Sequence, residues 1–553
     1  MKKNPLLWIG RRVSRRIPMI LLMTAAQVGH ALFLVFFALG SRGVIDSAVA
    51  GDPQAFYAAC GKQAVIIAGI LLCLTVLRHL REKLNADLER DWKQSLLRGL
   101  LHGEYASIRH YHSAELLNRL NNDVSKIDEG ILNLVPNAAA MITRLIAAVA
   151  VLGTLEPKFT LILVLLGCTL IVATGLARKR LKMLNKHVSE CDGKVSGFLQ
   201  ETMEKLLMVQ AMDVSEEVER RTDILLEERY RLQRKRKNVA VATNTGISLI
   251  AYGAEFTALV WCSSQMLQGQ MSFGSLTAII QLVNQLQTPF VNLSGILPQY
   301  VAMIASAERL MELEEIQGEP ASALENAAEV YADVEALEAE NLSFSYDSDQ
   351  ILQEAEFSLP KGAFAVITGP SGIGKSTLLK LLLGIFQPSG GALYLRGKTQ
   401  RTKLDRSTRR MFAYVPQGNL LLSGTLRDNL TIVRPEATED EIAQAVYVSA
   451  MDEFVPHLPQ GLDTVLGESG AGLSEGQAQR VAIARAVLGG APILLLDECT
   501  SALDEQIEQT VLMRLKALPD RTCIAVTHRP AAAALCSWRF EVDEGKIRAV
   551  KVE

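Results

Sequence analysis

At 553 residues the chain is too long for one hydrophobic core, so two or three domains are expected. A net charge of -3 leaves no electrostatic footprint for a nucleic-acid partner. The eight cysteines include no CxxC pair and no His-rich companion motif, which sets them as small core residues rather than a metal site or disulfide framework. Hydrophobic residues make up 49% of the chain and gather as long runs in its first part, a pattern that points to a membrane.

In chain order, "LLWIGRRVSRRI" alternates apolar and basic residues at helical spacing and is expected to lie in the cytosolic interface as an anchor. Apolar runs near bilayer-crossing length follow at 18–40, 63–77 (short, and extended toward Tyr57), 131–155, 159–177, 239–267 and 272–305, six in all. "AVA" at 48–50 imitates a signal-peptide cleavage site, but the apolar stretch before it is too long for a secretory leader and five spans follow. Lys2, Lys3, Arg11, Arg12, Arg15 and Arg16 precede the first span, and "ARKRLK" and "RLQRKRK" flank the fourth and fifth. The connections "EPK" and "QMLQGQM" carry almost no basic charge, so both chain ends are expected in the cytosol. Polar, helically periodic segments of roughly 55 residues separate spans two and three and spans four and five, lengths that suit helices continuing far out of the membrane.

His30, Arg144 and Glu255 stand inside spans, each about 15 to 18 Å from the assumed outer end. Titratable side chains at that depth are expected to face the bundle interior or a cavity, where Arg144 pairing with Glu255 and direct cargo contact are both open. Gln281, Gln285, Thr288 and Asn292 share one face of the last span and imply either a polar cavity or an interhelical hydrogen-bond seam. The acidic, alanine-rich "EEIQGEPASALENAAEVYADVEALE" ends the membrane pattern. The expected division is a membrane domain at 1–315, a linker at 316–335 and a second domain at 336–553.

In that second domain a strand-like "AFAVITG" runs into "PSGIGKST" and then helix-like "LLKLLLG", the context that a phosphate-binding loop requires. Gly369, Gly372 and Gly374 let backbone N–H groups turn toward phosphate oxygens at a helix amino terminus. Within the same loop, Ser371 and Thr377 are candidate nucleotide contacts, Lys375 supplies charge to the β- and γ-phosphates, and the Ser376 hydroxyl is placed to ligate Mg²⁺. Further on, "APILLLDECTSALD" is a buried strand ending in two carboxylates. Asp497 is suited to hold Mg²⁺, and Glu498 to orient and deprotonate an attacking water.

"LSEGQ" before "AQRVAIARA" resembles the signature of ATP-binding cassette (ABC) transporters, and the whole chain resembles a half-transporter of the exporter type. That resemblance implies a membrane all-α domain of six helices with long cytosolic extensions, followed by an α/β P-loop NTPase domain. It also implies roles at matching positions. Tyr346 in "LSFSY" stacks on adenine; Gln417 in "YVPQGNLLLSGTLRDN" senses Mg²⁺ and the attacking water; Asp504 in "SALD" crosses to a partner; and His528 in "AVTHR" contacts the γ-phosphate. Two such ATPase domains pack head to tail, so that Ser474, Gly476 and Gln477 of one chain close on ATP held by the other. The family's coupling helices would fall near 105–112 and 208–212. Glu475 stands where glycine is commonest and Ala478 where a long polar residue is usual, and Cys499 follows the catalytic pair.

Taken together these features predict an ATP- and Mg²⁺-dependent exporter of peptide-like or amphipathic cargo in a bacterial plasma membrane, working as a homodimer or with a related chain. The competing readings are an exporter-fold importer, a membrane-anchored cassette ATPase and a nucleotide-gated channel.

Overall fold

The computed structural model describes residues 4–552 except 317, 319–326, 347–348, 371, 419–420, 468–471 and 528. At 168–179, 287–295, 297, 530 and 531 it describes the backbone alone. Two compact units result, Met1–Arg98 with Ser113–Glu315 and Gly99–His112 with Ile316–Glu553.

The helices up to the second unit's main body are α1 (Pro5–Val13), α2 (Ile17–Val49), α3 (Pro53–His102), α4 (Tyr105–Ile108), α5 (Ser113–Asn118), α6 (Val124–Leu155), α7 (Pro157–Glu204), α8 (Leu206–Ala211), α9 (Ser215–Leu267) and α10 (Phe273–Glu314). Among them α4 and the last turn of α3 belong to the second unit. The 50 residues of α3 extend about 75 Å, more than twice a bilayer's hydrocarbon core. Among the described residues, four helical stretches are long and apolar enough to cross a membrane: Pro5–Val49, Pro53–His102, Ser113–Leu155 and Ser215–Leu267. The expected fourth and sixth spans lie on α7 and α10, whose described apolar portions, Pro157–Gly167 and Phe273–Leu286, are shorter.

Small residues set how closely these helices approach. A Cβ on Gly69 of α3 would sit 2.7 Å from the Phe33 ring of α2, and one on Gly29 would already touch Cys73. Val35 and Ala38 of α2 join Ala148 and Leu152 of α6, Phe159 of α7, Ala258 and Cys262 of α9 and Ile279 and Leu282 of α10 in one buried cluster.

Polar clamps fix the other end of the unit. Asp123, fully buried just before α6, accepts from Arg309 Nε at 2.7 Å and from the Ser306 hydroxyl at 3.0 Å, both on α10. The basic residues of α1 and of the turn after it, 14–16, do more than the simple anchor expected from their pattern. Arg16 pairs with Asp87 and Asp91 on α3 at 2.9 and 3.0 Å, Arg12 pairs with Glu314 at the end of α10, and Trp8 packs on Trp92 with ring centroids 5.0 Å apart. Leu6 and Leu7 remain exposed, an apolar edge suited to lipid.

The second unit continues with α11 (Ala327–Asp333) and then β1 (Val334–Tyr346), β2 (Asp349–Pro360), β3 (Phe364–Thr368), α12 (Lys375–Leu382), β4 (Gly390–Gly397), β5 (Arg401–Lys403) and β6 (Phe412–Val415). After these come β7 (Gly424–Thr425), α13 (Leu426–Thr431), α14 (Glu439–Val448), β8 (Val465–Leu466), α15 (Glu475–Leu488) and β9 (Ile493–Asp497). The chain ends with α16 (Glu505–Lys516), β10 (Thr522–Val526), α17 (Pro530–Leu535), β11 (Trp538–Asp543) and β12 (Lys546–Lys551). Strands β6, β9, β10, β3 and β11 lie parallel in that order, with β12 antiparallel at the edge. Their continuous apolar runs, such as "ILLLD" with every residue buried, are what a sheet covered on both faces requires. A second, antiparallel sheet has the order β2, β1, β4, β5.

Removing the Asp123 carboxylate leaves a guanidinium and a hydroxyl without their partner. Asp123→Ala is expected to cost about 2 kcal/mol, read as a lowered melting temperature of the detergent-solubilised chain; an unchanged melting temperature would refute the clamp.

Candidate functional site

The P-loop follows directly from β3. Gly369 has φ +152°, and a Cβ there would lie 2.6 Å from the Val542 carbonyl oxygen. Gly374 has φ +107°, and its Cβ would meet Ile351 at 2.3 Å, so the loop passes where side chains do not fit. Helix α12 starts at once with no side-chain cap, which leaves the first-turn N–H groups available to an anion.

Each side chain of this helix start has an internal partner. Lys375, 5% exposed, donates to the carbonyls of Gly369 and Pro370 at 2.8 and 2.9 Å. Two of its three N–H bonds are thereby used. The Ser376 hydroxyl donates to Asp497 Oδ1 at 2.9 Å, and Thr377 Oγ1 lies 3.2 Å from the Tyr346 hydroxyl. Ser371 lies outside the described residues.

Asp497 ends β9 and is 1% exposed. Burial raises its carboxyl above the ordinary range, while the bonds from Ser376 and Tyr414 act the other way. Tyr414, on β6, donates its hydroxyl to Asp497 Oδ2 at 3.0 Å. Burial, and then the Asp497 charge, push the Tyr414 phenol upward, so it stays protonated and a donor. Tyr414 was not singled out from the sequence. It sits in "AYVPQ", three residues before Gln417, and only its cross-sheet neighbour gives it a role.

Glu498 takes a left-handed backbone, φ +48°, with its N–H on the Val526 carbonyl at 3.0 Å. This turn carries its side chain to Gln417, whose Nε2 donates to Glu498 Oε2 at 2.7 Å. The structure thus brings Ser376, Asp497, Glu498 and Gln417 together at the carboxyl ends of parallel strands, where open α/β sheets bind ligands. His528 lies outside the described residues.

The "LSEGQ" residues form a helix start of their own. Ser474 and Gln477 cap α15 reciprocally, the serine N–H donating to Gln477 Oε1 at 2.9 Å and the Gln477 N–H to the serine hydroxyl at 3.3 Å. A Cβ on Gly476 would lie 2.7 Å from the Ala502 carbonyl oxygen. Gln479, also missed in the sequence, donates to the Ser501 hydroxyl and accepts from the Ala502 N–H, both at 3.1 Å, and so ties α15 to the segment before Asp504. Asp504 stands at the N-cap just before α16 and makes no side-chain cap bond. Ala478 and Cys499, two of the three departures from the family pattern, are buried at 2% and 4% exposure, positions where a small side chain packs. Glu475 is exposed in the first turn of α15.

Tyr346, at the end of β1, is half-buried, edge-on to Phe344 and Phe386 at 4.9 and 5.4 Å between centroids.

In the first unit, Glu255 accepts from Asn284 Nδ2 at 3.2 Å, a bond between neighbouring helices α9 and α10; of the two roles left open for Arg144, pairing with Glu255 is not the one the described residues show. Gln285 donates to the Leu34 carbonyl at 2.8 Å. Among the described residues, Arg144 Nε and the side-chain oxygens of Gln281 and Gln285 are buried without a hydrogen-bond partner. The side chains of Thr288 and Asn292 lie outside those described.

Comparison with known proteins places these features. The ABC transporter transmembrane region family matches residues 19–290, and the ABC transporter family, the ATPase region, matches 352–501. A probable ABC transporter ATP-binding/permease protein of Haemophilus influenzae is 27% identical over 99% of this chain and 100% of its own length. A mycobactin import ATP-binding/permease protein of Mycobacterium tuberculosis is 34% identical over 54% of this chain and 56% of its own. The solved structure of a bacterial Atm1-family ABC exporter with ATP bound has the same fold, with a TM-score of 0.78 at 24% identity over 98% of this chain and 95% of that one. The chain therefore belongs to the ABC transporters, as a half-transporter with a membrane domain and an ATP-hydrolysing cassette fused in one chain.

Proposed function

We propose that the chain is an ATP-driven exporter in which two copies, or this chain and a related one, form two composite ATP sites and turn a polar cavity from cytosol to outside. In this reading residues 1–315 are the membrane domain, 316–335 the linker and 336–553 the nucleotide-binding domain, in a bacterial plasma membrane with both termini cytosolic. The observation that carries it is the joined set of Ser376, Asp497, Glu498 and Gln417, linked by hydrogen bonds of 2.9 and 2.7 Å.

Lys375 keeps one N–H for a phosphate oxygen, and the uncapped start of α12 offers backbone donors beside it. Glu498, held by Gln417, is the base that orients and deprotonates the attacking water. The Ser376 hydroxyl and the Asp497 carboxylate are hard oxygen donors already in contact, a fit for Mg²⁺, which would neutralise charge on the phosphates. Ser474, Gly476 and Gln477 of the partner close on the γ-phosphate with the start of α15, and Asp504 and His528 complete the interface. Binding draws the cassettes together and hydrolysis resets them, with segments 105–112 and 208–212 transmitting the motion.

The orphaned polar atoms of Arg144, Gln281 and Gln285 support a polar cargo surface that includes His30, Glu255 and Asn292. Peptide-like or amphipathic cargo suits it. The opposite direction of transport is favoured by one observation, the relative that carries mycobactin import in its name. ATP-dependent uptake into inside-out vesicles supports export; ATP-dependent loss from them supports import.

Turnover of the single purified chain in lipid nanodiscs is expected, and Glu498→Gln is expected to lower it by about 100-fold or more. An inactive intact chain would refute the homodimer, and a fully active variant would refute Glu498 as the base. Tyr414→Phe removes one donor from Asp497 and should raise the Mg²⁺ concentration for half-maximal turnover by about tenfold, with little change at saturating Mg²⁺. An unchanged Mg²⁺ dependence would show that the Tyr414 bond does not tune that site.

A further inference from the structure

The segment Gly99–His112 belongs to the nucleotide-binding unit, and it is held there by several contacts of different kinds. Gly103 forms a β-bridge with Gly318, Ala106 packs against the core cluster that includes Phe344 and Phe386, and Arg406 donates to the His102 carbonyl at 3.3 Å. The Tyr105 ring lies 6.1 Å from that of Phe386. From this segment Arg109 lays its guanidinium over the Tyr346 ring, 4.5 Å from the centroid, and 5.7 Å from that of Phe386.

Tyr346 thus has partners at its hydroxyl, its ring edge and one ring face. Its hydroxyl meets Thr377 of the P-loop helix at 3.2 Å, its ring is edge-on to Phe344 and Phe386, and a ring face carries Arg109. A planar guanidinium on an aromatic face occupies the position that a stacked nucleobase would take, and it is held there by the ring's quadrupole. An incoming nucleotide needs that face for its base and the Thr377 hydroxyl for its phosphates. Both belong to one latch.

We propose that Arg109 competes with the purine base for the Tyr346 ring, so that base stacking expels Arg109 and thereby reports nucleotide binding to the Gly99–His112 segment. This rests on the reading that Tyr346 stacks on the base. A ligand that must displace an internal partner binds with an affinity reduced by the fraction of open protein, so removing Arg109 tightens binding. Inorganic tripolyphosphate has no base, so it does not compete with Arg109.

The test is the KM for ATP of the full chain in nanodiscs, together with inhibition by tripolyphosphate. Arg109→Ala is expected to lower the KM for ATP by about two- to tenfold and to leave tripolyphosphate inhibition unchanged. Arg109→Lys, which keeps the charge but not the planar stack, should fall between the two. In a Tyr346→Ala background, where KM itself should rise, Arg109→Ala should have no further effect. If Tyr346→Ala leaves KM unchanged, the base-stacking reading fails and the proposal with it. If Tyr346→Ala raises KM but Arg109→Ala raises it too or leaves it alone, the competition alone is overturned. A parallel change in tripolyphosphate inhibition would mark Arg109 as merely structural and would also overturn it.

Discussion

The nucleotide-binding unit is organised around one buried carboxylate. Asp497 closes strand β9, between β10 and β6, at 1% exposure, and it persists there because two hydroxyls, those of Ser376 and Tyr414, donate to its two oxygens. A buried charge without such donors would neutralise or unfold its surroundings. With them it cross-links the start of α12 to β6 across the sheet. The residue after it then has no extended path to follow. Glu498 turns into the left-handed region, a conformation costing of order 1–3 kcal/mol, and the rigid parallel strands on both sides hold it there. The strained turn gives its carboxylate a fixed aim at Gln417.

How much of this was legible beforehand depends on how far apart in the chain the partners stand. The glycines and Lys375 fall in one short run whose chemistry is local, and Asp497 and Glu498 end a strand that reads as buried from its composition alone. Tyr414 acts on a residue 83 positions away and looks like any strand aromatic until β6 is set beside β9. The same holds for Gln479, whose amide serves a loop 22 and 23 residues on, and for Arg109, which follows α4 while its partner ring lies far along the chain at the end of β1. Tyr346 itself was found through family resemblance, since nothing in its spacing separates it from a core aromatic.

In the membrane unit, hydropathy locates the apolar runs but is silent on rotation about each helix axis. Arg144 and Glu255 were matched by depth, yet equal depth does not mean facing sides, and Asn284 rather than Arg144 meets the glutamate. Helix ends were equally hidden. A polar, periodic continuation reads as helix, but only the structure shows that α3 and α9 run unbroken for 50 and 53 residues. The basic residues of α1 and the turn after it read as an interfacial anchor, whereas the two acids that receive Arg16 lie more than 70 residues downstream on α3 and the one that receives Arg12 ends α10. Opposite charges separated that far in sequence leave no local signal.

The groups assigned to a nucleotide share a physical state that bears on how the site works. Lys375 sits on two carbonyls, Ser376 on Asp497, Thr377 on Tyr346 and Gln417 on Glu498. In the proposed site, binding at these side chains exchanges hydrogen bonds, each exchange yielding only a net difference on the order of 1 kcal/mol, while the remaining Lys375 N–H and the uncapped start of α12 add donors of their own. Such a site gains little from any single contact and favours a ligand that replaces several at once, a triphosphate with its base and metal together. Partial ligands would leave some internal pairs intact. The same closed set of bonds keeps the strained Glu498 turn and the buried Asp497 satisfied between turnovers, so the site can empty without losing the geometry that the next cycle needs.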